Sequence, residues 1–67
     1  MKLIFENTER KRRKIADKVV DEGHAILLIK KFCKERNYKI PYIRMIDGGN
    51  YKQFDVGSWT EFFYLEG

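Results

Sequence analysis

Tyr42-Ile43-Arg44-Met45-Ile46-Asp47-Gly48-Gly49-Asn50-Tyr51-Lys52-Gln53-Phe54-Asp55-Val56 is the stretch that decides the fold. Apolar and polar residues alternate in Tyr42–Ile46 and again in Lys52–Val56, the period of a half-buried strand. Between them, Asp47-Gly48-Gly49-Asn50 is a hairpin turn, because glycine supplies the positive φ that tight turns need. With Gly48-Gly49 as the loop, Ile46 faces Tyr51, Arg44 faces Gln53 and Ile43 faces Phe54. Ile43, Met45, Phe54 and Val56 then share one face. Tyr42, Arg44, Ile46, Tyr51 and Gln53 share the other.

Upstream the period changes. Lys2–Glu6 reads as a short strand. Asn7 or Thr8 can cap a helix, with Glu9 in its first turn. Ile15, Ala16, Val19 and Val20, then Ile26, Ile29 and Cys33, keep a helical stripe that ends near Asn37. The spacing predicts one long helix, with a break at Gly23 as the alternative. Downstream, Ser58-Trp59-Thr60-Glu61 fits a helix capping box, whereas Thr60–Leu65 fits a third strand. In the strand reading Trp59 and Phe63 face one way, into the core, and Phe62 and Tyr64 the other. The expected fold class is α+β: a long helix packed on a small antiparallel sheet with a hairpin turn at residues 47–50. It forms one domain over residues 1–67.

Composition narrows the function. Sixty-seven residues allow only a marginal core, and a large active-site cleft would hollow it out. Ten aromatic side chains argue against disorder. A single cysteine excludes an internal disulfide and any multi-cysteine zinc site. Met1–Glu6 does not read as a signal peptide, and no apolar run is long enough to span a membrane. The expected setting is cytoplasmic, with no membrane partner. Charge is segregated: residues 1–39 hold 12 Lys/Arg against 6 Asp/Glu, and residues 40–67 hold 2 against 4.

Arg10-Lys11-Arg12-Arg13-Lys14 is the most prominent feature. Consecutive cations bind polyanions by releasing counterions, without reading sequence. They also sit badly at the positive pole of a helix, so something other than helix stability accounts for them. A nucleic acid or an acidic protein is the expected contact, and a solvated helix end is the plain alternative. Because none of the five belongs to the apolar stripe, their replacement by alanine is expected to leave the fold intact. Tyr42, Arg44, Tyr51 and Tyr64 are candidate contacts on an outer aromatic surface, since Tyr and Arg are common hot-spot types. Asp17, Asp21 and His24 would line one helix face and are the only candidate ligands for a divalent metal; a solvated face with Lys14 and Lys18 as ion-pair partners is the simpler reading. No other cofactor is indicated. Cys33 continues the apolar stripe and reads as a buried small hydrophobe. One Ser, one His and one Cys in no nucleophile–base arrangement give catalysis no support.

The tail Asp55-Val56-Gly57-Ser58-Trp59-Thr60-Glu61-Phe62-Phe63-Tyr64 resembles the endings of short accessory proteins of Gram-positive phages and mobile elements, anti-CRISPR-type inhibitors among them. The resemblance covers about ten residues and implies a protein that binds host machinery, CRISPR effector nucleases included. Inhibitors that mimic DNA are acidic, whereas this chain is basic, so a grip on guide RNA, DNA or an acidic protein surface is implied instead. The expected function is thus a non-enzymatic binding module, a phage-type inhibitor or regulator of a host nucleic-acid-processing machine. Alternatives are a small basic DNA/RNA-binding protein and a structural homodimer.

Overall fold

The computed structural model describes residues 1–57 and 61–67. Its elements are β1 (Lys2–Glu6), β2 (Arg12–Ala16), α1 (Glu22–Glu35), β3 (Arg44–Asp47), β4 (Tyr51–Asp55) and β5 (Phe62–Glu66). The strands form one antiparallel sheet in the order β2-β1-β5-β4-β3, and α1 packs on one of its faces. The α+β class and the hairpin at residues 47–50 are as the sequence predicts.

β5 is the central strand. It pairs with β1 on one side (Phe5 opposite Phe63) and β4 on the other (Phe54 opposite Phe63). Leu3, Phe5, Phe54, Phe63 and Leu65 point to the helix and meet Ala25, Ile29 and Cys33. Phe5, Phe32 and Phe63 form a ring cluster with centroids 4.9 to 5.5 Å apart. Among the described residues, no helix lies on the opposite sheet face. That face holds Arg12 and Lys14 of β2, Ile4 and Glu6 of β1, Phe62 and Tyr64 of β5, Tyr51 and Gln53 of β4, and Arg44 and Ile46 of β3. The tail is therefore a strand from Phe62 onward, and the helical reading is corrected for residues 62–65. Burial of Phe63 against the helix, with Phe62 and Tyr64 opposite, is as predicted, while Ser58, Trp59 and Thr60 lie outside the described residues.

The helix is shorter than predicted. It begins at Glu22, not near Thr8, and residues 12–16 are a strand. Two local features decide this. Asn7 closes a hairpin: its Oδ1 accepts from the N–H groups of Glu9 (2.9 Å) and Lys11 (3.0 Å), and its own N–H donates to the Lys11 carbonyl (2.9 Å). Asp21 then caps α1, its Oδ1 accepting from His24 N–H at 2.8 Å. Between them Lys18 has φ 55°, which no α-helix passes through. The helical spacing of Ile15, Ala16, Val19 and Val20 is coincidental, since Val20 is 74% exposed. Gly23 lies in the first turn of α1 and marks no break.

The second hairpin closes one residue later than predicted. Gly48 N–H donates to the Tyr51 carbonyl (2.9 Å), so Gly49-Asn50 is the loop. Gly49 has φ 89°, and Asp47 Oδ1 accepts its N–H at 2.9 Å. Pairing becomes Ile46 with Gln53, Arg44 with Asp55 and Met45 with Phe54. That shift of two keeps every strand residue on its predicted face.

Candidate nucleic-acid interface

The five consecutive cations are not equivalent, because strand geometry sends neighbours to opposite faces. Arg10, in the turn, has φ 65°. Lys11 pairs loosely with Glu9 at 3.6 Å, both fully in solvent. Arg12 and Lys14 lie on the open face, and Arg13 lies on the helix side.

Arg12 is a structural residue. Its Nε donates to Glu6 Oε1 at 2.9 Å, and its guanidinium covers the Tyr64 ring at 4.2 Å. Glu6 is nearly enclosed, 5% exposed, so Arg12 neutralises a carboxylate that water reaches poorly. Tyr64 also donates its hydroxyl towards Glu6 Oε2 (3.4 Å) and meets the Tyr51 ring edge-on at 5.8 Å. Burial first, and the Glu6 charge second, raise the Tyr64 hydroxyl above its ordinary pKa. One expectation is corrected here: Tyr64 is 8% exposed, too enclosed for the outer contact surface expected of it. Replacing the whole basic run is expected to cost stability, because Glu6 would lose its partner.

Lys14 pairs with Asp17 at 3.0 Å, and this hydrogen bond is the main cause holding the Asp17 carboxyl below its ordinary pKa. Arg44 pairs with Asp55 at 2.9 Å. Tyr51 is exposed on the open face. Tyr42 is exposed too but precedes β3 and lies beside Ile26, Lys30 and Ile43, so it is not part of that face.

The three candidate metal ligands share no helix face. Asp17 lies between β2 and α1, bonded to Lys14 and to Lys18 N–H. Asp21 is the helix cap, and His24 Nδ1 accepts Val20 N–H at 3.1 Å. Their lone pairs serve local turns, and among the described residues no three His, Cys, Asp or Glu side chains gather at one point. Cys33 is buried in the core as predicted, and burial raises its thiol pKa.

Arg13 leads to a feature that the sequence reading missed. It reaches across β1 to the end of α1, where its guanidinium lies 5.8 Å from the Phe32 ring centre. Arg36, the C-cap, lies over the same ring at 4.6 Å and over Phe5 at 5.3 Å. A cavity of about 180 Å³ opens here, lined by Phe5, Asn7, Lys11, Arg12, Arg13 and Arg36. Neither Arg13 nor Arg36 has a carboxylate partner among the described residues, and neither do Arg10, Lys30, Lys31 and Lys34. Lys2, Lys18 and Lys39 lack one too, but they lie apart, and the densest group of unpaired cations is on the hairpin tip and the last two turns of α1. The only advance signal was the run of Lys30, Lys31, Lys34, Arg36 and Lys39 against a single acid, Glu35.

The described residues form a small α+β domain of one helix on five strands, with a basic corner. The chain matches no protein-family model, no curated protein and no solved structure. Among the described residues no helix is long and apolar enough to cross a membrane.

Proposed function

We propose that the chain is a non-enzymatic binding module that grips the phosphate backbone of a nucleic acid, alone or within a nucleic-acid-processing machine. The observation that carries this reading is the sorting of the cations. On the open face Arg12, Lys14 and Arg44 are each satisfied by a carboxylate, and among the described residues Lys2 alone there is not. Those on the basic corner and the adjoining helix surface, Arg13, Lys30, Lys31, Lys34 and Arg36, have none among the described residues. Clustered cations repel each other, and a polyanion relieves that repulsion while releasing its own counterions.

Fluorescence anisotropy with labelled single-stranded and duplex oligonucleotides across a salt series tests the reading. The expected result is binding at low salt that weakens along a straight line on logarithmic axes. Absence of binding at low salt overturns it.

A protein target, as for a phage-type inhibitor of a host nuclease, is the second reading. The observation favouring it is the uncovered sheet face, where Ile46 and Tyr51 stand exposed beside Arg44. Capture of such a nuclease that survives both nucleic-acid digestion and high salt selects this reading over the first.

A further inference from the structure

The geometry points to a phosphate clamp at the basic corner: Arg13 and Arg36 hold one phosphate group of the bound strand between them, with the Asn7 amide as a third donor. The clamp deepens the nucleic-acid reading and rests on it.

Three features argue for a built site rather than diffuse charge. First, Arg13 comes from the β1–β2 hairpin and Arg36 from the end of α1, yet both lie against the one Phe32 ring, at 5.8 and 4.6 Å. Ring contact restricts each guanidinium before a ligand arrives, which lowers the entropy lost on binding. Second, Asn7 lines the cavity. Its oxygen is occupied by two backbone N–H groups of the turn, so the Nδ2 group, which donates only, is left for a ligand. Third, no carboxylate lines the cavity itself. Glu6 is held by Arg12, Glu9 lies towards Lys11, and Glu35, which has no ion pair among the described residues, lines the neighbouring cavity with Lys31 and Phe32. Arg12 is itself taken by Glu6 and Tyr64, so it forms a wall and not a ligand contact. The polar side chains that remain around this cavity of about 180 Å³ are cationic and amide donors, which suit an anion. Phe5 and Phe32 lie under Arg36 and offer no stacking platform, so the clamp takes the backbone without reading sequence.

The test exploits the difference between arginine and lysine. Lysine keeps the charge but lacks the planar fork that holds two phosphate oxygens at once. The double variant Arg13→Lys/Arg36→Lys is expected to bind a labelled oligonucleotide at least about tenfold more weakly at constant salt. Lys30→Ala/Lys34→Ala is expected to weaken binding less and to flatten the salt dependence by about two phosphate contacts. In the unaltered protein, titration with inorganic phosphate should shift the Arg13 and Arg36 Nε–H resonances saturably, leaving those of Arg10 and Arg44 in place.

If Arg13→Lys/Arg36→Lys binds the oligonucleotide as tightly as the unaltered protein, the clamp is overturned and the broader nucleic-acid reading stands. Should phosphate move all arginine signals alike and without saturation, the clamp is again overturned, and this readout does not depend on any variant folding. Saturable shifts at Arg13 and Arg36 without oligonucleotide binding would keep the phosphate site and remove the nucleic acid.

Discussion

The two hairpins that flank β5 are built alike and read differently. Each turn is closed by a side-chain oxygen at its first residue: Asn7 in the first, Asp47 in the second. Each also needs a residue at positive φ. The second hairpin supplies Gly49, whereas the first uses Arg10. The outer edges differ as well. β2 presents Arg12, Arg13 and Lys14, and β3 presents Met45 and Ile46, which are 46% and 42% exposed. A charged edge resists pairing with another sheet, and in the first hairpin one of those charges, Arg13, contributes to the basic corner. A hairpin can thus be specified with no glycine in its turn, at a cost in backbone strain of about 1 kcal/mol.

The largest expected effect comes from the strand both hairpins share. Phe63 is 1% exposed and lies opposite both Phe5 and Phe54. Phe63→Ala should cost about 3–5 kcal/mol, against a total of about 5 kcal/mol for a marginal domain. Urea melts followed by circular dichroism should find it largely unfolded. Loss of one hairpin's signals with the other preserved would mean that the two fold independently.

The next comparison sets the cross-strand arginines against each other. Arg12→Ala leaves the enclosed Glu6 without its guanidinium and should cost about 1–3 kcal/mol. Arg44→Ala removes a pair in which the arginine side chain is 65% exposed, so its loss should stay below about 1 kcal/mol. Equal losses in thermal melts would show that Glu6 does not depend on Arg12.

Swapping the turn chemistry gives a smaller effect. Arg10→Gly should stabilise by about 1 kcal/mol, because glycine occupies positive φ without a Cβ clash. Gly49→Ala should destabilise by a similar amount, about 1 kcal/mol. The prediction fails if Arg10→Gly melts below the unaltered protein.

Acid should separate the hairpins most subtly. The Gly49 N–H first, and Lys52 second, hold the Asp47 carboxyl below its ordinary pKa. The unfolded chain therefore takes up this proton at higher pH than the folded chain. The stabilisation is complete above the ordinary aspartate range and is lost as pH falls through it towards the lowered folded value. Asn7 cannot titrate. Asp47→Asn keeps the acceptor oxygen and removes only the charge, so its melting temperature should approach that of the unaltered protein on acidification. A gap that stays constant with pH would rule out the assigned role.

What the sequence made legible was local. The Gly48-Gly49 pair and the period of two fixed a hairpin and the face of every residue in it, because alternation survives a register error of two. The same period separated Phe63 from Phe62 and Tyr64. The class followed, since a helical stripe beside an amphipathic hairpin has to pack on it. Residues 12–16 were not legible in this way. Their apolar spacing fits a helix by coincidence, whereas a strand paired with β1 satisfies the backbone, and Arg12 finds Glu6 there. Helix propensity is weak enough for such pairing to override it. The functional surface depended still more on tertiary structure. Tyr64 looks like a contact residue until Arg12, 52 positions earlier, covers its ring. Arg13 and Arg36 become a site only because the sheet order carries the first hairpin to the end of α1. Neither residue carries a sign of the other, because their meeting depends on the path of the chain between them.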